Sequence, residues 1–428
     1  MRTREEDLVK DNELVKEVSE ICKGRDPFEH IQALGYPRMA GTEGESHAGD
    51  YIIDFFQKTG LKTQVEEYYL PESPIVNKII QPILLVCGGI FSFINIRFIS
   101  NIFGYIFAGL IILIPFLIIG LFLKMEILFR RMLTSNWKRL QTLAKQIEKG
   151  VYKKPIKKCR NIYAEYTPEK YDEHLYLTAH YDSTTLKLDM KIMRIFIMIA
   201  VFGLIIYLVS YFAHYFLIWK SGFNLFGKYP FFFLIVLIIS LVSLSTVLIG
   251  RSFRSNHSHG AIDNLTGIAL ILELANIAKE LKPNLKITFI AFSAEEVGLF
   301  GSIYHFNRNE EYFKTHKIHV VSIDMIGEIP PLNFVDRIKP VFSIPMDTAF
   351  NLEMVELAQK LNIQTKVGKF FYPGSDFANW LLNGYPANWI ITPSKYIHSA
   401  QDLPQNVNQD LLNDCLKVLT AYLLQKSE

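Results

Sequence analysis

The sequence predicts an α/β fold, a three-layer sandwich with a mostly parallel central sheet, combined with four transmembrane helices in two hairpins. Strand-like and helix-like segments alternate along the polar parts of the chain, which is typical of α/β proteins. Four apolar runs are long enough to cross a bilayer. The composition lies between that of a soluble protein and that of a protein made only of membrane spans. The 428 residues are 50% hydrophobic and 20% charged, with a mean hydropathy of +0.17.

The alternation can be followed in chain order once the apolar runs are set aside. Glu45 to Thr59 is predicted to be a helix that ends at Gly60. The other predicted elements are strands at Lys62 to Tyr69, Asn161 to Tyr166 and His174 to Ala179, a helix at Asn264 to Leu281, and buried strands at Lys286 to Phe292 and His319 to Ile323. In such sheets, sites form at the carboxyl ends of the strands.

The apolar runs form two pairs, each with a short connection. They extend over roughly Ile79 to Phe98, Ile102 to Leu123, Ile192 to Ile218 and Pro230 to Gly250. A buried core helix is the alternative explanation, but no Asp, Glu or Lys lies inside any of the runs. Each pair is therefore predicted to be a transmembrane hairpin that leaves and re-enters the membrane on one side.

The two predicted hairpins divide one soluble domain into three pieces. The predicted boundaries are 1–75, 155–188 and 255–428 for the soluble domain, 76–154 for the first hairpin with a basic linker, and 189–254 for the second hairpin. The pieces together have a size that suits one domain.

The basic residues near the spans predict on which side of the membrane the soluble domain lies. Those on the domain side are Lys78, Lys124, Arg130, Arg131, Lys187, Lys191, Arg194, Arg251 and Arg254, whereas Arg97, Lys220 and Lys228 lie in the hairpin loops. This bias predicts an integral, multi-pass membrane protein with a cytoplasmic domain. The charged N-terminal segment does not resemble a signal peptide, and the four scattered cysteines fit a reducing compartment. A net charge of +3 does not indicate nucleic acid as a partner.

Polar residues gather at the predicted strand ends. They are His180 and Asp182 after one strand, Asp263 before a helix, Glu295 and Glu296 after another strand, Asp324 after a third, and His398 near the C-terminus. Taken singly, each has a simple explanation: a hydrogen-bonded histidine, a helix N-cap, a turn or a solvated acidic pair. Their joint position at the predicted binding edge favours a functional site.

Such a residue set suits a site with two divalent ions. Two ions about 3.5 to 4 Å apart need terminal His and carboxylate ligands and one carboxylate that bridges them. A further carboxylate, which does not bind metal, has to take a proton from the attacking water. His and carboxylate ligands without Cys favour two zinc ions, with manganese or cobalt as alternatives.

At these residues the sequence resembles the co-catalytic di-zinc aminopeptidase family, which also includes glutaminyl cyclases and the ectodomains of glutamate carboxypeptidase and the transferrin receptor. The resemblance covers nearly all of the soluble part, in matching order and spacing apart from the two hairpins. The segments that carry it are GYPRMAGTEGESHAGDYIIDFFQKTGLKTQVEEY, TAHYDS, AIDNLTG, SAEEVGLFGS, SIDMIG, YPGSDFANWLLNGYPA and YIHSAQD.

The resemblance implies a role for each candidate residue. Asp263 would bridge the ions; Glu296 and His398 would complete one metal site, and His180 and Asp324 the other. Glu295 would be the general base, Asp182 would orient His180 from the second ligand shell, and Tyr372 would help to hold the oxyanion. The implied function is a membrane-embedded metallo-aminopeptidase that cleaves peptides with a free amino terminus, and lipid is the other expected partner.

Some departures and alternatives stay open at this point. Phe377 stands where the family often has a His after Gly-Ser-Asp, and His257 and His259 are further possible ligands. A glutaminyl-peptide cyclotransferase is an alternative function, which cyclisation of amino-terminal glutamine with one zinc per chain would indicate. A non-catalytic membrane receptor or scaffold with the same fold is another, although such relatives typically lose ligands. The oligomeric state is not predicted.

Overall fold

The computed structural model divides the chain into two compact units. It describes residues 2–71, 86, 138–152, 156–188, 190–338, 344–370 and 374–427. The first unit, called the sheet unit below, comprises Met1–Glu72, Phe129–Thr185 and Asn256–Glu428. The second, called the hairpin unit, comprises Ser73–Leu128 and Leu186–Ser255. Both predicted spans of the first hairpin, Ile79 to Phe98 and Ile102 to Leu123, lie outside the described residues, apart from residue 86.

The strands and helices of the described residues have the following bounds. The strands are β1 (Lys62–Pro71), β2 (Ile156–Tyr166), β3 (His174–His180), β4 (Thr185–Leu186), β5 (Arg254–Ser255), β6 (Lys286–Phe292), β7 (Ile318–Asp324), β8 (Leu332–Ile338), β9 (Ile344–Pro345), β10 (Thr365–Phe370) and β11 (Ala387–Ile391). The helices of the sheet unit are Arg2–Cys22, Pro27–Ala33, Glu43–Thr59, 138–148, Thr266–Leu281, Phe300–Thr315, Thr348–Lys360, Ala378–Leu382 and Gln409–Gln425.

A mixed sheet is the centre of the sheet unit. Its described strands have the order β1-β2-β6-β3-β7-β11-β8-β10, with β9 paired to β8, while β4 and β5 form a separate two-stranded sheet. Strands β6, β3, β7 and β11 are parallel to one another, but β2 is antiparallel to β6 and β8 is antiparallel to β11. The predicted α/β class is confirmed, whereas the predicted parallel arrangement applies to the four central strands and to the outer pair β8 and β10, but not to β1, β2 or the junction of β11 with β8.

The register of the central strands brings the predicted site residues to one edge. His180 at the end of β3 pairs with Phe292 at the end of β6, and Ile391 at the end of β11 pairs with Asp324 at the end of β7. The segments that carry Glu295, Glu296 and His398 begin directly after these ends. Parallel strands place their carboxyl ends at the same edge, so four separate chain segments converge there.

Helices pack on the sheet and bury its central strands. Every residue of β3 is buried. On one face, His174 hydrogen-bonds the Tyr312 hydroxyl at 2.9 Å, and the Tyr176 ring lies 5.7 Å from that of Phe313, both in the helix Phe300–Thr315. The helix Thr266–Leu281 packs against β3, β6 and β7 and is covered by the C-terminal helix Gln409–Gln425. The alternating side chains of a strand contact different helices in this way.

Most predicted elements are present with small shifts of their ends. The helix predicted to stop at Gly60 extends over Glu43–Thr59, and Gly60 has a φ of 74°, the left-handed conformation that glycine adopts readily. The strand predicted at Lys286 to Phe292 has those bounds. The helix predicted from Asn264 begins at Thr266, because Asp263 and Asn264 have non-helical backbone angles.

The hairpin unit contains two long apolar helices in its described residues. They are Met190–Ser221 and Pro230–Ser252, which pack against each other and are joined through the short helix Leu225–Lys228. Phe226 stacks on Phe233 with the ring centres 4.3 Å apart, and the Phe226 amide donates a hydrogen bond to His214. Many outward side chains of both helices are large, apolar and exposed, including Phe202 and Phe231.

Three helices in the described residues are long and apolar enough to cross a membrane. They are Ile192–Ser221, Pro230–Gly250 and Ala261–Leu281. The third differs from the other two, because 94% of its most apolar window is buried inside the protein. Its hydrophobicity is explained by its position in the core of the sheet unit, where it contacts protein on all sides.

The start of the helix Thr266–Leu281 packs closely against β7, and this contact allows a test of how the fold positions the site. A Cβ atom at Gly267 would overlap with the Ile323 carbonyl oxygen in β7. We expect Gly267→Ala to lower the free energy of unfolding by about 1–3 kcal/mol, as overpacking does. It should also reduce metal content, because the helix start that follows Asp263 would shift relative to β7, which carries Asp324.

Chemical unfolding and metal analysis of the detergent-purified protein would measure both effects. Ala275→Gly is the matched control, since it also changes one methyl group in this helix at a fully buried position. It should reduce stability but leave metal content unchanged. Wild-type stability and metal content in Gly267→Ala would contradict the expectation.

Candidate metal centre

Two groups of potential metal ligands lie at the carboxyl edge of the central strands. His180, Glu295 and Asp324 form the first group, and Asp263, Glu296 and His398 form the second. Within each group the ligand atoms lie within 4.8 Å of one another. Four of the six residues are buried, whereas the Glu295 and His398 side chains have relative exposures of 10% and 23%. The structure thus brings together residues from five separate segments of the sequence.

Asp263 lies between the two histidines. Its Oδ1 atom is 3.2 Å from His180 Nε2, and its Oδ2 atom is 3.4 Å from His398 Nε2. His180 Nε2 is also 3.5 Å from Asp324 Oδ1, and His398 Nε2 is 2.9 Å from Glu296 Oε2. One carboxylate therefore directs an oxygen towards each ligand group, which is the arrangement that a bridging ligand requires.

An irregular segment presents Asp263 to both groups. Residues Ala261–Leu265 form a distorted turn between a left-handed Gly260 and the following helix. Asp402 holds this turn, because its Oδ1 accepts the Ile262 amide at 2.7 Å and its Oδ2 accepts the Asp263 amide at 3.1 Å. The Asp263 side chain does not cap the helix, so the N-cap explanation suggested by its position in the sequence does not describe this residue.

The Asn264 side chain ties the same segment to β7. Its Nδ2 donates to the Ile323 carbonyl at 2.8 Å, and its Oδ1 accepts the amides of Gly267 and Met325. These bonds span the gap between the segment with Asp263 and the strand end with Asp324. Because each partner is a backbone group, the Asn264 side-chain amide fixes the main chain of β7 and of the helix start relative to each other.

Asp182 contacts the two glutamates as well as His180, which it was predicted to orient. His180 Nδ1 lies 3.1 Å from the Asp182 carbonyl oxygen and 3.6 Å from its carboxylate. The carboxylate oxygens accept the backbone amides of Glu295 at 3.1 Å and Glu296 at 3.2 Å. Asp182 thereby positions both glutamates in addition to contacting the histidine.

The charge distribution around His180 fits a bound cation. Burial by itself would lower the pKa of His180, but the Glu295 carboxylate and the surrounding aspartates raise it well above its ordinary value. Burial also raises the pKa of Glu295 well above its usual range, and the neighbouring Glu296 carboxylate adds to the increase. Buried carboxylates that crowd in this way repel one another, and a divalent ion is the counter-charge that would stabilise them.

Two further buried carboxylates were not predicted as site residues. Asp376 is 1% exposed, and neither of its oxygens accepts a hydrogen bond from the described residues. Burial raises the pKa of Asp376 to about 7, and it raises the pKa of Asp402 to about 7 as well. Both residues lie in segments that carry the family resemblance, YPGSDFANW and YIHSAQD, which was the available signal.

The remaining candidate residues from the sequence do not belong to the two ligand groups among the described residues. Tyr372 lies outside the described residues. His257 is exposed, His259 is partly buried, and neither belongs to the two ligand groups. Phe377, which replaces the frequent histidine, is fully buried and its ring centre lies 5.3 Å from that of Trp389, so it packs as a core residue.

Comparison with known proteins shows similarity to a peptidase family in the C-terminal part of the chain. Residues 244–423 match the model of Peptidase family M28. Aminopeptidase YwaD from Bacillus subtilis is 38% identical over 176 residues, which are 39% of this chain and 38% of that protein. A probable zinc metalloprotease from Pyrenophora teres f. teres is 35% identical over 71 residues, 16% of this chain and 14% of that protein. The chain therefore spans well under half of the length of these relatives.

Solved structures share the fold over a larger part. An aminopeptidase from Aneurinibacillus sp. strain AM-1 has a TM-score of 0.53 at 14% identity, covering 96% of each chain. A zinc aminopeptidase from Bacillus subtilis has a TM-score of 0.54 at 13% identity, covering 94% of each chain. At such identities the likeness establishes the fold alone. Together with the family match, it confirms the predicted resemblance to the co-catalytic zinc peptidases.

The contacts of Asp182 lead to a test of how the site is supported. We expect Asp182→Ala to weaken metal binding by about 10- to 100-fold, the usual cost of losing a residue that holds metal ligands. The physical reason is that the amides of Glu295 and Glu296 would lose their acceptor. Titration of the metal-free protein with zinc in the presence of a competing chelator would measure the change.

Asp347→Ala is the matched control for this variant. The Asp347 carboxylate also accepts a backbone amide, that of Phe350 at 3.1 Å, but it caps the helix Thr348–Lys360 and does not belong to the ligand groups. It should lose about 1 kcal/mol of stability with unchanged metal affinity. Equal metal affinity in Asp182→Ala and the wild type would exclude the supporting role.

Proposed function

We propose that this chain, which is related to Peptidase family M28 over residues 244–423, is a membrane-embedded zinc metallopeptidase. The proposed reaction is the release of amino-terminal residues from peptides. The observation that carries the proposal is the position of Asp263, with one carboxylate oxygen near His180 and the other near His398. A purely structural carboxylate would not need two imidazoles and further acids on both sides.

The donor set supports two zinc ions as cofactors. Asp263, Glu296 and His398 would hold one ion, and Asp263, His180 and Asp324 the other. The ligand groups found among the described residues contain nitrogen and oxygen donors and no sulfur, which suits zinc and also permits manganese or cobalt. When bound, such ions would polarise the peptide carbonyl and lower the pKa of a water molecule between them.

Glu295 is the residue proposed to move the proton. Its side chain is nearly buried beside His180, with Oε2 4.0 Å from Nε2, and its backbone amide is held by Asp182. Burial and the neighbouring Glu296 carboxylate raise its pKa, so it holds a proton more strongly than an exposed glutamate would. Glu295 would take a proton from the attacking water and deliver it to the leaving amine as the carbon–nitrogen bond breaks.

The assignment of the two adjacent glutamates rests on their contacts. Glu296 Oε2 lies 2.9 Å from His398 Nε2, so it belongs to the group of the second histidine. Glu295 lies on the side of His180, although it is further from the imidazole than Asp263 or Asp324. This difference in distance supports Asp324 as the ligand and Glu295 as the base.

A peptide with a free amino terminus is the proposed substrate. The relative with the longest alignment described above is named an aminopeptidase, and the two solved structures above carry the same description. A site rich in buried carboxylates also suits an ammonium group, because the positive charge of the substrate would reduce the repulsion among them.

The chain is also proposed to be an integral membrane protein with several spans. The exposed apolar surfaces of Ile192–Ser221 and Pro230–Gly250 support this, since lipid would cover side chains that water would not favour. The basic residues at the ends of the predicted spans support a cytoplasmic position of the sheet unit.

The role of Glu295 can be separated from metal binding. In Glu295→Gln we expect both ions to remain, because Glu295 is not a ligand, while kcat falls by about 100- to 10,000-fold, as for a lost general base. In Asp263→Asn we expect lower metal content as well as lower activity, because the amide supplies no negative charge to two cations. Metal analysis and a panel of aminoacyl fluorogenic substrates would distinguish the two variants.

One result would exclude the assignment of the base. A Glu295→Gln protein that contains two ions and keeps wild-type activity would show that another group moves the proton. Loss of metal in Glu295→Gln, similar to that in Asp263→Asn, would instead identify Glu295 as a ligand.

The proposed topology can be tested by labelling. We expect cysteines introduced as Glu5→Cys or Ser427→Cys, in a background without the native cysteines, to be inaccessible to an impermeant thiol reagent in intact cells. They should react after the membrane is permeabilised. A cysteine at Gly222→Cys, in the connection between the two apolar helices, is the control and should react from outside. Labelling of the termini in intact cells would reverse the proposed orientation.

A further inference from the structure

Arg38 is a fully buried cation whose side chain bonds only to backbone carbonyls among the contacts of the described residues. It lies in the segment between the helices Pro27–Ala33 and Glu43–Thr59 and is 0% exposed. Burial of a charge without a direct ion pair is unfavourable, so such a residue needs a specific reason.

The guanidinium group connects three parts of the chain. Its Nε donates to the Tyr181 carbonyl at 2.8 Å. Its terminal nitrogens donate to the carbonyls of His259 at 2.6 Å and Gly260 at 3.1 Å. The remaining bonds go to Leu34 and Tyr36 in its own segment, at 2.7 and 2.6 Å. Tyr181 follows His180 directly, and Gly260 lies three residues before Asp263.

The backbone of Arg38 strengthens the same connection. Its amide donates to Ser183 Oγ at 3.0 Å, and its carbonyl accepts the Ser183 amide at 3.1 Å. Ser183 Oγ donates in turn to the Ser258 carbonyl at 2.9 Å. The turn after β3 and the segment before Asp263 are therefore joined twice, once by the Arg38 side chain and once by the Ser183 hydroxyl, which the Arg38 amide also contacts.

The positive charge of Arg38 also interacts with the carboxylates that surround the site. Burial lowers the pKa of Arg38 to about 10, while the carboxylates of Asp402, Asp182 and Asp263 oppose the decrease. At neutral pH the group stays protonated, because this value lies well above 7. In the metal-free protein, it offsets part of the repulsion among the acids of the site.

We propose that Arg38 is a positioning residue that sets the separation of His180 and Asp263 before any ion binds. The proposal rests on the metal assignment of the proposed function. It gives a physical role to the GYPRMAGTEG segment, which contributes no candidate ligand and lies more than 130 residues before His180. Holding the ligand-bearing segments at the right distance in advance avoids the cost of ordering them during metal binding.

Arginine suits this position better than lysine for a geometric reason. The planar guanidinium has N–H donors on three nitrogens in a fixed arrangement; here Nη1 contacts three carbonyl oxygens, and Nε and Nη2 contact one each. A lysine ammonium keeps the charge but offers three donors at a single nitrogen. Arg38→Lys therefore removes the connection between segments while it retains the electrostatic effect.

Metal titration of the full-length, detergent-purified protein tests the inference. We expect Arg38→Lys to bind zinc about 10- to 100-fold more weakly than the wild type, by analogy with other residues that support ligands. Cobalt added in place of zinc should give an altered visible absorption band, which reports the ligand arrangement directly. Arg38→Met should lower affinity and also reduce the stability of the metal-free protein further.

Arg25→Lys is the matched control. Arg25 is another largely buried arginine of the sheet unit, which pairs with Glu273 at 3.4 Å and Glu280 at 2.6 Å. This variant should reduce stability but leave zinc affinity and the cobalt spectrum unchanged. If Arg38→Lys behaves like Arg25→Lys, Arg38 has only a structural role and the inference is wrong.

The remaining outcomes are also informative. Ser183→Ala breaks the second connection without removing a charge, and it should weaken zinc binding in the same direction but less. If the Arg38 variants do not fold, unchanged zinc affinity in folded Ser183→Ala would overturn the inference. A wild-type protein that binds no zinc would instead refute the proposed function, so the two failures can be told apart.

Discussion

The repulsion among buried carboxylates at one edge of the sheet is the constraint on which the rest of the structure depends. Asp263, Glu295, Glu296 and Asp324 are held close together with little access to water. Such an arrangement is unfavourable unless a cation compensates for it. A fold that keeps it must fix the backbone firmly from several directions, since side-chain packing alone would let the charges move apart.

The supporting contacts follow one pattern. Asp182 accepts two consecutive amides in the segment of the glutamates, and Asp402 accepts two consecutive amides in the segment of Asp263. In both cases a buried carboxylate holds the main chain, and the main chain presents a ligand candidate. Asn264 and Arg38 act on backbone groups in the same manner. The geometry of the site is thus encoded mainly in contacts to peptide groups.

The sequence allowed the local features to be predicted better than the long-range ones. The strand Lys286–Phe292 was predicted with its observed ends, because its apolar run is bounded by Pro283 and Ser293. The convergence of the ligand candidates followed from their positions after strands. The antiparallel pairing of β2 with β6 and of β8 with β11 could not be inferred, since the hydrophobic pattern of a strand does not specify its partner strand. Arg38 was missed because its acceptors Tyr181 and His259 lie 143 and 221 residues away.

The apolar core helix has a consequence for the synthesis of the chain. Residues Ala261–Leu281 leave the ribosome soon after Pro230–Gly250 and have the length and composition of a membrane span, yet they end inside the folded protein. An insertion machinery that senses hydrophobicity would therefore meet a segment that could either enter the membrane or fold into the protein core. Glu273 near its middle opposes entry into lipid, where an acidic side chain costs about 2.5–3.5 kcal/mol. In the folded protein the same carboxylate pairs with Arg25 and His30, which are synthesised earlier and are already available as partners.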